Sequence, residues 1–235
     1  MPSLLQNVRL GVRSLRHAPG FTTTAVLTLA LGIGLSTAVF TVADALLLRR
    51  LAVHDQDRLV VLTGQMPDRG IDSYPLGLQS ARDFARDART LSAVAFFGYE
   101  GATPEPVRDA GELSRLHRAL VSGDFFAVLG ARPLLGRTLR PEDDVRGAAP
   151  VVVLSHRAWQ ERFGGARDVL GRRITLHEND VAYTVVGVMP QGLDHPRGTD
   201  MWAAMMPAIP EQNEPYIALN LIARLAPGAS PATAR

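Results

Sequence analysis

The chain has 235 residues, with 25 basic and 23 acidic side chains and no cysteine. That length can bury a core, and the missing cysteines exclude disulfides, thiolate catalysis and cysteine-ligated zinc. The charge is unevenly spread. Up to Arg50 the ionised residues are Arg9, Arg13, Arg16, Arg49 and Arg50 against Asp44 alone, whereas the remainder carries 20 basic and 22 acidic residues. No basic cluster backed by aromatic reading elements follows Arg50, which argues against nucleic-acid binding. Lysine is absent, and with the abundant Ala, Gly and Pro this reads as genome composition rather than chemistry.

In chain order, Leu4, Leu5, Val8, Val12 and Leu15 fall near one helical stripe with the arginines elsewhere, which predicts an amphipathic surface helix within residues 1–20, ending before Pro19-Gly20. From Phe21 to Ala43 no residue is charged, and these 23 residues at about 1.5 Å each reach across the ~30 Å hydrocarbon layer. The reading is a transmembrane helix over 21–48. A buried helix of a soluble protein would show a polar face, and only Thr and Ser interrupt this run. A cleaved signal peptide would use the small-x-small pattern Ala43-Asp44-Ala45, but its apolar region would be about half as long. Within the helix Ala30, Gly34 and Ala38 recur every fourth residue and form a candidate packing face, although small residues are common in membrane helices. Arginines flank both ends, so charge alone points only weakly to a cytoplasmic N-terminus.

After the helix the pattern predicts strands at Leu59–Leu62, Ala93–Tyr99, Glu112–Ser122, Pro150–Leu154, Arg173–Leu176, Ala182–Val188 and Asn220–Leu225. Helices are expected at Gln79–Arg89 with Ala81, Phe84, Ala85 and Ala88 inward, at Asp124–Leu129, and from a Ser155 cap to Phe163. Trp159 and Phe163 should anchor that last helix in the core. Strands outnumber helices without regular alternation, so residues 49–235 read as an α+β domain. Pro141 to Ala149 suits an exposed connection, and His177-Glu178-Asn179-Asp180 suits a hairpin turn.

Motifs for chemistry are missing. Neither GxxxxGK[ST] nor GxGxxG occurs, and the histidines at 17, 54, 117, 156, 177 and 195 lack metal spacing. Glu142-Asp143-Asp144 lacks the alternate ligands of a calcium loop. Ser155-His156 sits in no nucleophile elbow. No cofactor, metal or catalytic residue is expected.

Several runs resemble the FtsX-like ABC transporter permeases with a MacB-type periplasmic core domain. They are LRHAPGFTTTAVLTLALGIGLSTAVFTVADALLLRRL (15–51), VSGDFFAVLGARPLLGRTLRPEDD (121–144), VVVLSHRAWQERFGG (151–165), VLGRRITL (169–176) and YTVVGVMPQG (183–192), in the family's order. The first is similar to the opening helix of the acidobacterial duplicated-permease subgroup. The resemblance implies an inner-membrane protein with a cytoplasmic N-terminus and an extracytoplasmic α+β domain, in which a smaller subdomain, about Phe125 to Pro207, is inserted. It also implies a cytoplasmic ABC ATPase subunit as partner, beside membrane lipid and the remaining permease helices or a second permease copy. The domain would export or transmit force without catalysis. Because the family has three further spans, the resemblance casts this chain as a truncated N-terminal part; the alternative is a stand-alone membrane-anchored binding or sensing module.

Overall fold

The computed structural model describes residues 19–43, 53, 55–99, 104–109, 112–176 and 180–230. The chain divides into two units, Met1–Arg49 and Arg50–Arg235.

In the first unit, helix α1 runs from Pro19 to Ala43. Its Pro19–Val39 stretch is long and apolar enough to cross a membrane. The helix opens two residues before the expected Phe21, with proline in the first described turn, where a missing N–H costs no helical bond. Residues 44–48 and the amphipathic segment before Pro19 lie outside the described residues. Large apolar side chains stand exposed around the helix, among them Phe21, Leu27, Leu31, Leu35 and Val39. The hydroxyls are taken up locally: Thr23, Thr24, Thr28 and Thr37 donate to the carbonyls of Pro19, Gly20, Thr24 and Ile33 at 2.9, 3.0, 2.8 and 2.8 Å. Such back-bonding lets polar residues enter hydrocarbon without a neighbour.

The second unit is built on fourteen strands: β1 (Leu59–Leu62), β2 (Gly64–Met66), β3 (Ile71–Tyr74), β4 (Leu76–Gly77), β5 (Leu91–Tyr99), β6 (Glu105–Asp109), β7 (Glu112–Leu116), β8 (Arg118–Val121), β9 (Leu135–Gly136), β10 (Val151–Leu154), β11 (Arg173–Leu176), β12 (Ala182–Val188), β13 (Met201–Ala204) and β14 (Ala218–Leu225). Its α-helices are α2 (Leu78–Asp87), α3 (Phe125–Leu129), α4 (His156–Phe163) and α5 (Met205–Ala208). Ten strands form one sheet in the order β1-β14-β5-β8-β13-β10-β12-β11-β6-β7, with β4 added to β14 and β9 to β12, while β2 and β3 pair separately. The pairs β10–β12 and β8–β13 are parallel and the rest of this sheet is antiparallel, the mixed pattern of an α+β fold.

Alternation along each strand divides the core between the two faces of the sheet. One face buries Leu120, Val152, Leu154, Tyr183, Val185, Met201 and Ala203 with Trp159 and Phe163 of α4 and Leu78 of α2. The other buries Ala119, Val121, Val151, Val153, Trp202 and Ala204 with Phe125, Phe126 and Leu129 of α3. The four fully buried residues of β10 are therefore needed on both sides. Ser155 caps α4, its Oγ accepting the Ala158 N–H at 3.1 Å.

Two expectations need correction. Glu112–Ser122 is not one strand, because the ladder breaks at His117, between β7 and β8. There the His117 N–H donates to Asp200 Oδ2 at 3.0 Å, and its carbonyl accepts from Asp200 N and Met201 N at 2.9 and 3.1 Å. The break lets β7 pair with β6 while β8 enters the sheet centre between β5 and β13. Helix α2 buries Leu78 and Ala81, whereas Phe84, expected inward, is 37% exposed. Strands β11 and β12 pair antiparallel as expected; of the residues between them Asp180, at φ 51°, and Val181 are described, and 177–179 lie outside the described residues. Residues 125–207 supply β9 to β13 to the same sheet as β5, β8 and β14.

Candidate functional site

Between β13 and β14 the chain leaves the sheet as a strap, with α5 followed by a 3-10 segment from Glu211 to Tyr216. Pro207, Pro210 and Pro215 break any longer helix here. A cavity of about 320 Å³ lies against one part of the strap, lined by Gly98, Leu120, Ile209, Asn213, Ile217 and Leu219. A second, of about 430 Å³, lies between it and the start of α2, lined by Gly77, Leu78, Ser80, Arg82, Glu211 and Glu214. Both volumes fall in the range of small-ligand pockets.

Polar contacts tie the strap down. Glu214 takes Arg82 Nη1 at 3.2 Å through Oε1 and Arg146 Nη2 at 2.8 Å through Oε2. Arg146 also donates to the Ile209 carbonyl at 3.2 Å. Asp144 accepts the Met206 N–H at 2.7 Å and the Gly123 N–H at 3.1 Å, so one carboxylate joins the strap to the β8–α3 turn. Burial pushes the Asp144 carboxyl above the usual carboxylate range, against the opposing pull of those N–H groups and of Arg82. For Asp143 burial acts the same way, but the Arg137 guanidinium at 2.6 Å, the Arg140 N–H and both positive charges outweigh it and hold the carboxyl below its ordinary value. The segment expected to be a merely exposed connection is thus a fastening, and only Glu142 of its three acids projects freely into solvent.

A second polar centre surrounds Asp200, which is 8% exposed. It meets His117 Nδ1 at 3.2 Å and Arg157 Nη2 at 2.8 Å. Nearby in the sheet, Arg118, 6% exposed, pairs with Glu105 at 3.1 Å and donates to the Tyr183 hydroxyl at 3.2 Å. Neither centre was marked by sequence spacing, since the partners are separated by 13 to 83 residues. The Ser155 hydroxyl serves its helix cap, and the His156 ring packs edge-on to Trp159 at 5.5 Å. Among the described residues no three His, Asp or Glu side chains gather as metal ligands would.

In α1, Ala30, Gly34 and Ala38 are exposed along one stripe, and a Cβ added at Gly34 would meet nothing within 4 Å beyond the helix's own backbone and its chain neighbours.

The family model of the MacB-like periplasmic core domain matches residues 22–235, taking in most of α1 and the whole sheet unit. The chain belongs to that family. The periplasmic region of MacB from Actinobacillus actinomycetemcomitans superposes with a TM-score of 0.58 at 14% identity, over 78% of this chain and 80% of that one. A permease-protein domain from Porphyromonas gingivalis gives 0.57 at 20% identity, over 77% and 81%. No curated protein matches the sequence. At these identities the likeness is one of fold, and it agrees with the mixed sheet described above. The MacB-like family comprises periplasmic domains of ABC transporter permeases, domains that are not themselves enzymes, and membership places this chain among transporter components.

Proposed function

We propose that the chain works mechanically: α1 holds the sheet unit at the cytoplasmic membrane, and the unit moves in response to a cytoplasmic ABC ATPase subunit to drive export or extraction. The observation that carries this reading is the family match, which runs unbroken from the apolar helix through the last strand. In this reading the N-terminus is cytoplasmic and residues 49–235 are extracytoplasmic. Ala30, Gly34 and Ala38 form the face on which other permease helices, or a second permease copy, pack closely, as small residues allow.

The natural chain has no cysteine, so single cysteines report topology cleanly. Ser3→Cys and Asp168→Cys are treated in intact spheroplasts with a membrane-impermeant maleimide. The Asp168 side chain is 75% exposed and should label from outside, while position 3 should label only after lysis. Labelling in the opposite pattern would overturn the orientation. Coupling is tested by co-reconstitution with an ABC ATPase subunit: the expected result is a conformational signal at Asp168→Cys that follows ATP hydrolysis, and a signal indifferent to nucleotide would remove the mechanical reading.

A further inference from the structure

Among the described residues, the core covers the sheet on one face only at β11, β6 and β7. At β11, β6 and β7 the covered face buries Ile174, Leu176, Val107 and Leu116. The opposite core cluster includes no residue of these strands. That bare face follows from the register. Thr175 lies opposite Arg108, Arg108 opposite Leu113, and Pro106 opposite Arg115, so Arg173, Arg108, Leu113 and Arg115 share it.

The three arginines form a line. From Arg173 to Arg108, and again from Arg108 to Arg115, the step is one strand across and two residues along in the same sense. Each step is about 8 Å between backbone positions. All three side chains are exposed, and no Asp or Glu lies on this face of the described strands. Arg115 donates to the Pro104 carbonyl, which leaves its charge unneutralised. The acidic positions of the hairpin, Glu105, Asp109 and Glu112, belong to the other face, where Glu105 and Asp109 pair with Arg118 and Arg172. Beside the line, Leu113 is 62% exposed.

We propose that this face is a docking surface for an extended acidic segment of a partner protein, laid along the Arg173–Arg108–Arg115 diagonal. In an extended chain alternate side chains project from one side every ~7 Å, close to the arginine step. Carboxylates at every second residue can then each meet a guanidinium fork. A membrane surface would be served by scattered charge over a wider area; a single line of three with one apolar neighbour matches a single extended chain.

The test uses the full chain in phosphatidylcholine nanodiscs. A fluorescent octapeptide alternating Glu and Val, and its Lys/Val counterpart, are titrated by anisotropy, with phosphatidylglycerol vesicles as a separate probe. The acidic peptide is expected to bind at least about tenfold tighter than the basic one and to weaken with salt. The double variant Arg108→Gln/Arg173→Gln should lose that binding about tenfold, whereas Arg132→Gln/Arg162→Gln, on other exposed surfaces, should retain it. Circular dichroism verifies that both variants fold; if the first does not, Arg115→Gln alone replaces it, with a smaller loss expected. Equal binding of the two peptides, binding untouched by loss of the arginines, or capture by vesicles without capture of the peptide would each overturn the proposal.

Discussion

Gly136 of β9 and Gly187 of β12 face each other across their antiparallel pair, and neither has room for a Cβ. A methyl group on Gly187 would press into the Arg137 carbonyl oxygen, and one on Gly136 into that of Val186. Gly136 also sits at φ +67°, a conformation natural to glycine. Each alanine variant is therefore expected to lower unfolding stability by about 1–3 kcal/mol, Gly136→Ala the more because strain adds to crowding. Gly77→Ala, where a Cβ would meet nothing within 4 Å, is the control and should be near neutral in the same urea titration.

The adjacent aspartates of the fastening loop should respond to acid with opposite sign. Arg137 holds Asp143 below its ordinary value. Its contribution is present above the unfolded carboxylate pKa of about 3.9 and is lost as pH falls through the lower folded value. Asp144 is raised by burial. Its linkage term favours the fold below about pH 3.9 and is lost as pH rises through the higher folded value. Unfolding free energies between about pH 2 and 6 should thus lose a rising component in Asp143→Asn and a falling one in Asp144→Asn.

His195 gives a third pH dependence. Its ring lies edge-on to Phe97 at 4.8 Å and stacked on Phe125 at 6.2 Å, and burial lowers its pKa despite the opposing charge of Asp194. The unfolded chain takes up the proton first, near pH 6.5, so stability should fall as pH drops from there towards the folded value. His195→Phe should flatten that part of the profile measured by denaturant unfolding.

Glu214 should matter locally more than globally. Its side chain is 28% exposed, and ion pairs in such settings contribute about 0–1 kcal/mol, so Glu214→Gln should barely move the global midpoint. Hydrogen exchange at residues 209–217 should nevertheless accelerate, because the substitution weakens the links to both Arg82 and Arg146.

In the first unit, Gly34→Leu is expected to leave membrane insertion unchanged while reducing cross-linking to other permease helices through residues 30 and 38. The open space at Gly34 accommodates the side chain within the helix, and a close-packed partner would not.

Much of the fold was legible because its signals are local. The charge-free run marked α1, Ser155 marked the start of α4, and the apolar stretch Pro150–Leu154 marked a strand, which the fold covers on both faces. Short strands decided by their neighbours escaped: β13 reads Met-Trp-Ala-Ala and β9 only Leu-Gly, neither with a visible period of two. The break at His117 depends on Asp200, 83 residues away, and the strap on Asp144 and Arg146, whose partners lie up to 68 residues distant. In the sequence, glycines 136 and 187 stand out only as parts of family-like runs; the carbonyl contacts that require them are set by the fold.

The turn at His117 also fixes how the molecule would bear a load. One covalent stretch, Glu112 to Val121, leaves the sheet margin at β7 and enters its middle at β8. A pull on the β6–β7 hairpin would run down that backbone and reach a strand gripped by a parallel ladder to β13 on one side and an antiparallel ladder to β5 on the other. Directed along β8, the force would meet both sets of hydrogen bonds together instead of unzipping them singly, so the outer strands can serve as a handle and the centre of the sheet as its mount.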